Sequence, residues 1–180
     1  MQLSTLSILL GLAVALPNLM GIVQPAKYGE AARNFPRNTA LGYLLVIAAT
    51  VWFVWNVRRE SIADFEPMKP YLIGLFVAVG IGTCLFVKDF LAVRGAAVLM
   101  LLLAKLMVDT ARWVESDWRL VIVTWAYLMV IAGVWFTISP WRLRDLIGWA
   151  VADEKRTRLL SGIRFAFGVF VFLLGLVVFR

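Results

Sequence analysis

Residues 119–139 read RLVIVTWAYLMVIAGVWFTIS, and after Arg119 the next twenty residues carry no charge. A helix of that length rises about 30 Å, which is the thickness of the hydrocarbon core of a bilayer. Lipid offers no hydrogen bonds, so a backbone crossing it must satisfy its own groups, and a run this long does so as a helix rather than as a barrel strand. The stretch predicts a transmembrane helix.

Five further runs repeat the pattern, at residues 4–24, 38–57, 70–87, 90–111 and 160–179. The predicted fold is all-α, a polytopic bundle of about six spans, with residues 1–180 forming a single integral membrane domain. The third and fourth runs are parted only by Lys88 and Asp89, so merging or demoting one of them gives a five-span alternative. Composition agrees: 62% of the 180 residues are hydrophobic and only 16% charged, with a mean hydropathy of +0.87. Soluble domains carry roughly 25% charged residues. The first basic residue is Lys27, so the apolar N-terminal run lacks the positive segment of a cleaved signal and is expected to remain as a first helix.

The net charge of +7 is read as loop charge facing anionic headgroups rather than nucleic acid. In six spans, one side carries ten basic residues, Lys27, Arg33, Arg37, Lys88, Arg94, Arg142, Arg144, Lys155, Arg156 and Arg158. The other carries seven, Arg58, Arg59, Lys69, Lys105, Arg112, Arg119 and Arg180. The bias places the 140–159 loop in the cytoplasm and both termini outside. Residues 140–152 are expected to lie in the headgroup layer, because Trp141, Leu146, Ile147 and Trp149 share a face opposite Arg142, Arg144 and Asp145. A polar turn over 153–158 should follow. Trp113, Trp118, Trp141 and Trp149 fall near span ends, as an aromatic belt requires.

The chain has no histidine and one cysteine, Cys84. That removes His-based acid/base chemistry, His-ligated metals and any disulfide within the chain. No phosphate-binding loop, HExxH, CxxC or GxSxG is present, and no cofactor or catalytic residue is expected. A lipid-acting enzyme would need an acid/base pair, for which only Asp109, Glu115 and Asp117 near a surface offer material.

Two features carry functional meaning. On the fourth span, Arg94, Lys105 and Arg112 fall within roughly 20° of one another around the helix, with Asp109 some 40–60° away. This polar stripe is either a set of snorkelling side chains with local ion pairs or a face for an anion, a lipid headgroup or another subunit. On the third span, Gly74, Ala78 and Gly82 repeat every four residues, and on the sixth Ser161, Gly168 and Gly175 repeat every seven. Small residues at helical spacing let backbones approach closely, within the chain or between chains. There is also an internal echo. An apolar helix, Pro25-Ala26-Lys27, a short polar turn and an aromatic-rich helix with Gly42 parallel an apolar helix, Pro140-Trp141-Arg142, a longer turn and an aromatic-rich helix with Gly162. Internal duplication and the common grammar of membrane helices both account for it.

From Val134 to Phe179 the chain has a helix ending in Pro140-Trp141-Arg142, an amphipathic stretch, a polar turn, and Arg158-x-x-Ser161-Gly162 leading into a Gly-rich apolar helix. This quarter resembles the small two-helix bacterial inner-membrane family of unknown function typified by the YjeT protein. It departs from that family in four additional spans, and in a plain Ser-Gly where the family tends to have a glycine run. The resemblance implies a bacterial inner-membrane location and no established activity. The function expected is a non-catalytic accessory or scaffold subunit of a membrane complex, with lipids and other subunits or self-association as partners. The alternative is a small channel or carrier for an anion or lipid along the polar stripe.

Overall fold

A computed structural model describes residues 2–60, 63–87 and 89–179, and of residues 63–65 the backbone only. Lys88 and Arg180, counted in the charge bias, lie outside the described residues. The protein is all-α, with no strand among the described residues: α1 (Leu3–Val23), α2 (Pro25–Asn34), α3 (Thr39–Arg59), α4 (Lys69–Phe86), α5 (Leu91–Ala111), α6 (Arg119–Ile138), α7 (Trp141–Ala150) and α8 (Glu154–Leu173), which continues as a wider π-type turn, Leu174–Val178. Six of the helices are long and apolar enough to cross a membrane, so the six-span count holds over the five-span alternative. Each begins and ends within a few residues of its apolar run, except α8.

Four local details are not encoded by the apolar runs. The segment after Pro25, expected as a short polar turn, is the ten-residue helix α2; proline suits the first helical turn, where its missing N–H costs nothing. The polar stretch 153–158 is likewise not a turn. It forms the start of α8, with Asp153 at the N-cap position and the Thr157 N–H and Oγ1 both donating to its carbonyl at 2.9 Å. Between α4 and α5, Phe90 takes a positive φ of 54°, a conformation rare for a residue with a side chain, and α5 starts at the next residue. The proline inside α1, Pro17, does not break that helix. Asn18 is buried and its amide donates to the Val14 carbonyl at 2.8 Å, so this polar side chain is satisfied within its own helix.

The chain divides into two compact units. One comprises Met1–Asn34, Leu103–Ile131 and Arg144–Arg180, the other Phe35–Leu102 and Ala132–Leu143. In the first, Leu3, Leu6 and Leu10 of α1 pack with Met107, Ile122 and Val171 in a continuous core. Trp125 meets Phe167 edge-on at 5.1 Å between ring centroids, an arrangement that the ring quadrupoles favour. In the second, Val93, Ala97 and Phe136 form a smaller core, and α3 runs antiparallel to α4: Thr50 meets Gly80 while Phe53 meets Phe76, with ring centroids 4.0 Å apart.

Candidate functional site

The small residues of α8 lie against α1. A Cβ built on Gly168 would sit 2.8 Å from the Ala15 nitrogen and 2.9 Å from the Gly11 carbonyl oxygen, and one on Gly175 would sit 2.8 Å from the Ser4 oxygen. Ser161, fully buried, occupies the space that a side chain on Gly21 would need. The complementary stripe on α1, Ser4, Ser7, Gly11, Ala15, Asn18 and Gly21, is not evident from the sequence, because its members differ in chemistry and share only size. Ser7 Oγ is buried there without a hydrogen-bond partner among the described residues.

The ridge on α4 is placed differently. Among the described residues, a Cβ on Gly74 or Gly82 would meet nothing within 4 Å, and Ala78 is exposed. The glycine of α4 that packs is Gly80, two residues out of phase with the ridge, where a Cβ would lie 2.5 Å from Thr50 Oγ1. At about 100° per residue, Ala78 points some 160° away from Gly80 around the helix axis, so the ridge faces away from α3. None of the residues of α4 is buried, whereas 44% of the apolar window of α5 is.

The polar residues of α5 do not act as one row. Lys105 Nζ pairs with Asp109 Oδ2 at 2.6 Å, both side chains being about half exposed. Arg112, just past the helix end, lies with its guanidinium 5.6 Å from the Trp113 ring centroid. Arg94 belongs to the other unit and reaches the Thr137 carbonyl at 3.5 Å. A shallow pocket of about 610 Å³ near the end of α5 is lined by Gln2, Asp109, Thr110 and Trp113. Of the four stripe residues it contains only Asp109. Arg119 closes the turn that follows, donating to the Val114 carbonyl at 2.7 Å.

In the first unit, α2 meets Val151, the residue that follows α7. Arg33, at the end of α2, donates through Nη2 to the Val151 carbonyl at 2.5 Å, and Gly29 faces the Val151 side chain at 3.5 Å. Arg156 Nη1 donates to the Trp149 carbonyl at 3.1 Å while its guanidinium covers the Trp149 ring at 5.1 Å. Two arginines thus satisfy carbonyls at the C-terminal end of α7, where the helix dipole also favours positive charge. Trp113, Trp118, Trp141 and Trp149 are all exposed. In the internal echo, α2 and α7 match in length at ten residues, but Gly42 packs on Leu91 and Ala92 while Gly162 has open space.

Among the described residues, no group of three or more Cys, Asp or Glu side chains is placed to hold a metal ion. No family model, curated protein or solved structure matches the chain.

Proposed function

We propose that this chain is a non-catalytic accessory or scaffold subunit of a membrane protein complex, held to its partner through α4. The observation that carries the reading is that α4 is an apolar helix of spanning length with no buried residue and an open Gly74–Ala78–Gly82 ridge. Exposure alone is normal for a helix in lipid. A glycine costs about 1 kcal/mol of helix propensity relative to alanine, and in a bilayer that cost is recovered where a second backbone comes close. Gly80 recovers it against α3, while Gly74 and Gly82 have no such contact among the described residues. The small soluble fraction and the absence of catalytic motifs fit the same reading, as does lipid contact through the basic ends of the helices. The resemblance of Val134–Phe179 to a bacterial inner-membrane family supports that membrane as the location.

An anion or lipid carrier built on the α5 stripe has less support. Lys105 and Asp109 neutralise each other, Arg112 rests on Trp113, and the pocket at Asp109 contains none of the three basic residues.

Extraction in a mild detergent, followed by mass analysis of the species that migrates with this chain, tests the proposal. A stoichiometric larger partner is expected. To locate the contact, cysteine is introduced at Ala78 in a Cys84→Ser background and oxidatively cross-linked in native membranes, where a product joining the chain to that partner is expected. A chain that migrates alone and gives no cross-link at residue 78 would overturn the reading.

A further inference from the structure

Between α3 and α4 runs an open groove of about 570 Å³ with an almost wholly apolar lining. Close packing of Gly80 on Thr50 and of Phe53 on Phe76 holds the helices together along one line. Beside that line they part, and Ile47, Val51, Ile81 and Leu85 form the walls. Thr50 and Cys84 lie along the groove, but the Thr50 hydroxyl is already spent on the Val46 carbonyl at 2.9 Å. Among the described residues of the lining a single one is charged, Arg58, in the last turn of α3.

The shape selects the class of occupant. From Tyr43 to Arg58 the groove follows α3 for about 22 Å at 1.5 Å per residue, longer than one leaflet of hydrocarbon, about 15 Å. Its volume lies in the range of small-ligand sites, about 300–1,000 Å³, while a helix with its side chains is about 10 Å across. A long, thin apolar chain fits such a space; a second helix does not.

Charge selects the headgroup. Arg58 is exposed and forms no ion pair among the described residues. Arg59 beside it lies over the ring of Trp55, itself a lining residue, at 4.8 Å, so a second guanidinium is held near the same end. Nearby, Glu66 and Lys69 neutralise each other at 2.7 Å, and Glu60 follows directly in sequence. The geometry points to a phospholipid site: one acyl chain of an anionic phospholipid lies along the α3/α4 groove, with its phosphate on Arg58. A guanidinium is suited to this role because its planar set of N–H donors matches phosphate oxygens. The site rests on the α3/α4 groove and Arg58 rather than on the subunit reading, although at about 100° per residue Leu85 lies only about 20° from Ala78 around α4, so the groove borders the ridge.

The test uses the full chain in lipid nanodiscs containing equal amounts of phosphatidylglycerol and phosphatidylcholine, with a trace of phosphatidylglycerol bearing a diazirine on its acyl chain. Native mass spectrometry after detergent release counts retained lipid, and peptide mapping locates the photo-adducts. Phosphatidylglycerol is expected to be retained over phosphatidylcholine by about fivefold, the factor that one basic contact at a membrane surface supplies. Adducts should concentrate in residues 47–54 and 77–85. Arg58→Gln, a change at an exposed helix end, is expected to abolish the preference while leaving the adduct positions unchanged. Ile81→Trp, filling the groove from an exposed position, is expected to reduce both retention and adducts. Equal retention of the two lipids, adducts spread evenly over all spans, or full retention by Ile81→Trp would each overturn the assignment. So would a groove closed to the probe in a chain that migrates as a dimer, which gives this face to a second copy.

Discussion

Gly11 and Gly168 face each other across the α1–α8 contact so closely that neither has room for a methyl group. A Cβ on Gly11 would lie 2.6 Å from the Gly168 oxygen, and one on Gly168 would lie 2.9 Å from the Gly11 oxygen. The obstacle is backbone, which cannot rotate away. Gly168→Leu should therefore separate the two helices and destabilise the chain by about 1–3 kcal/mol or more, the range for overpacked sites. Gly162→Leu on the same helix has open space and should hold stability or raise it by up to about 1 kcal/mol through helix propensity. Unfolding in mixed micelles with increasing sodium dodecyl sulfate, followed by circular dichroism, separates the two outcomes. Equal midpoints for both variants would show that the α1–α8 contact does not hold the chain together.

The same contact shows what the sequence made legible. The α8 side was readable because Ser161, Gly168 and Gly175 recur at a fixed interval on an otherwise bulky helix. The α1 side was not, since Ser, Gly, Ala and Asn look unrelated until their common small volume is seen at one face. Six spans could be read directly, because lipid imposes a length that few other constraints imitate. The start of α2 is not legible, since Pro25 reads equally as a turn residue and as a first-turn helix residue. Residues 153–158 read as a turn yet form a helix start, because strongly polar residues say nothing about backbone conformation once the chain has left the hydrocarbon. For the α4 ridge, spacing identified a face but not its partner, and the contact within the chain falls on Gly80 instead. On α5, angular position placed Arg94, Lys105 and Arg112 in line, yet each side chain is long enough to find its own local partner.

Replacing Gly74 and Gly82 together by leucine provides a different kind of prediction. Neither position touches any other described residue, so the unfolding midpoint of the purified protein should hold or rise slightly as helix propensity improves. Recovery of the larger complex from membranes should fall sharply, because leucine keeps the two backbones apart. A loss of intrinsic stability without a loss of partner would place the ridge inside the fold instead.

Arg33 ties α2 to the end of α7 through the Val151 carbonyl. A hydrogen bond from a charged donor is worth roughly 1.5–3 kcal/mol when well buried; Arg33 is an exposed residue, so Arg33→Ala is expected to cost about 1 kcal/mol. The effect should be local. Hydrogen–deuterium exchange should accelerate over 25–34 while the cores of α1 and α8 keep their protection, and Arg33→Lys should restore part of it. Unchanged exchange in Arg33→Ala would mean that the contact between Gly29 and Val151 suffices to hold α2.

The Lys105–Asp109 pair separates the two functional readings. With both side chains about half exposed, the pair should contribute no more than about 1 kcal/mol to stability, so Lys105→Ala is expected to fold normally. If the chain is a subunit, proteoliposomes loaded with a chloride-sensitive dye should show the same leak with wild type, with Lys105→Ala and with Arg94→Ala. A conducting stripe predicts something else, since removing a cation from an anion path raises the barrier that the path exists to lower. Chloride flux above that of empty vesicles, reduced by either substitution, would move the function from the open face of α4 to the polar face of α5. The double variant Lys105→Asp with Asp109→Lys sharpens the comparison: it preserves a pair of opposite charges and hence stability, but relocates the positive one. An effect on flux with no effect on the unfolding midpoint would then reflect the position of the charge rather than damage to the helix.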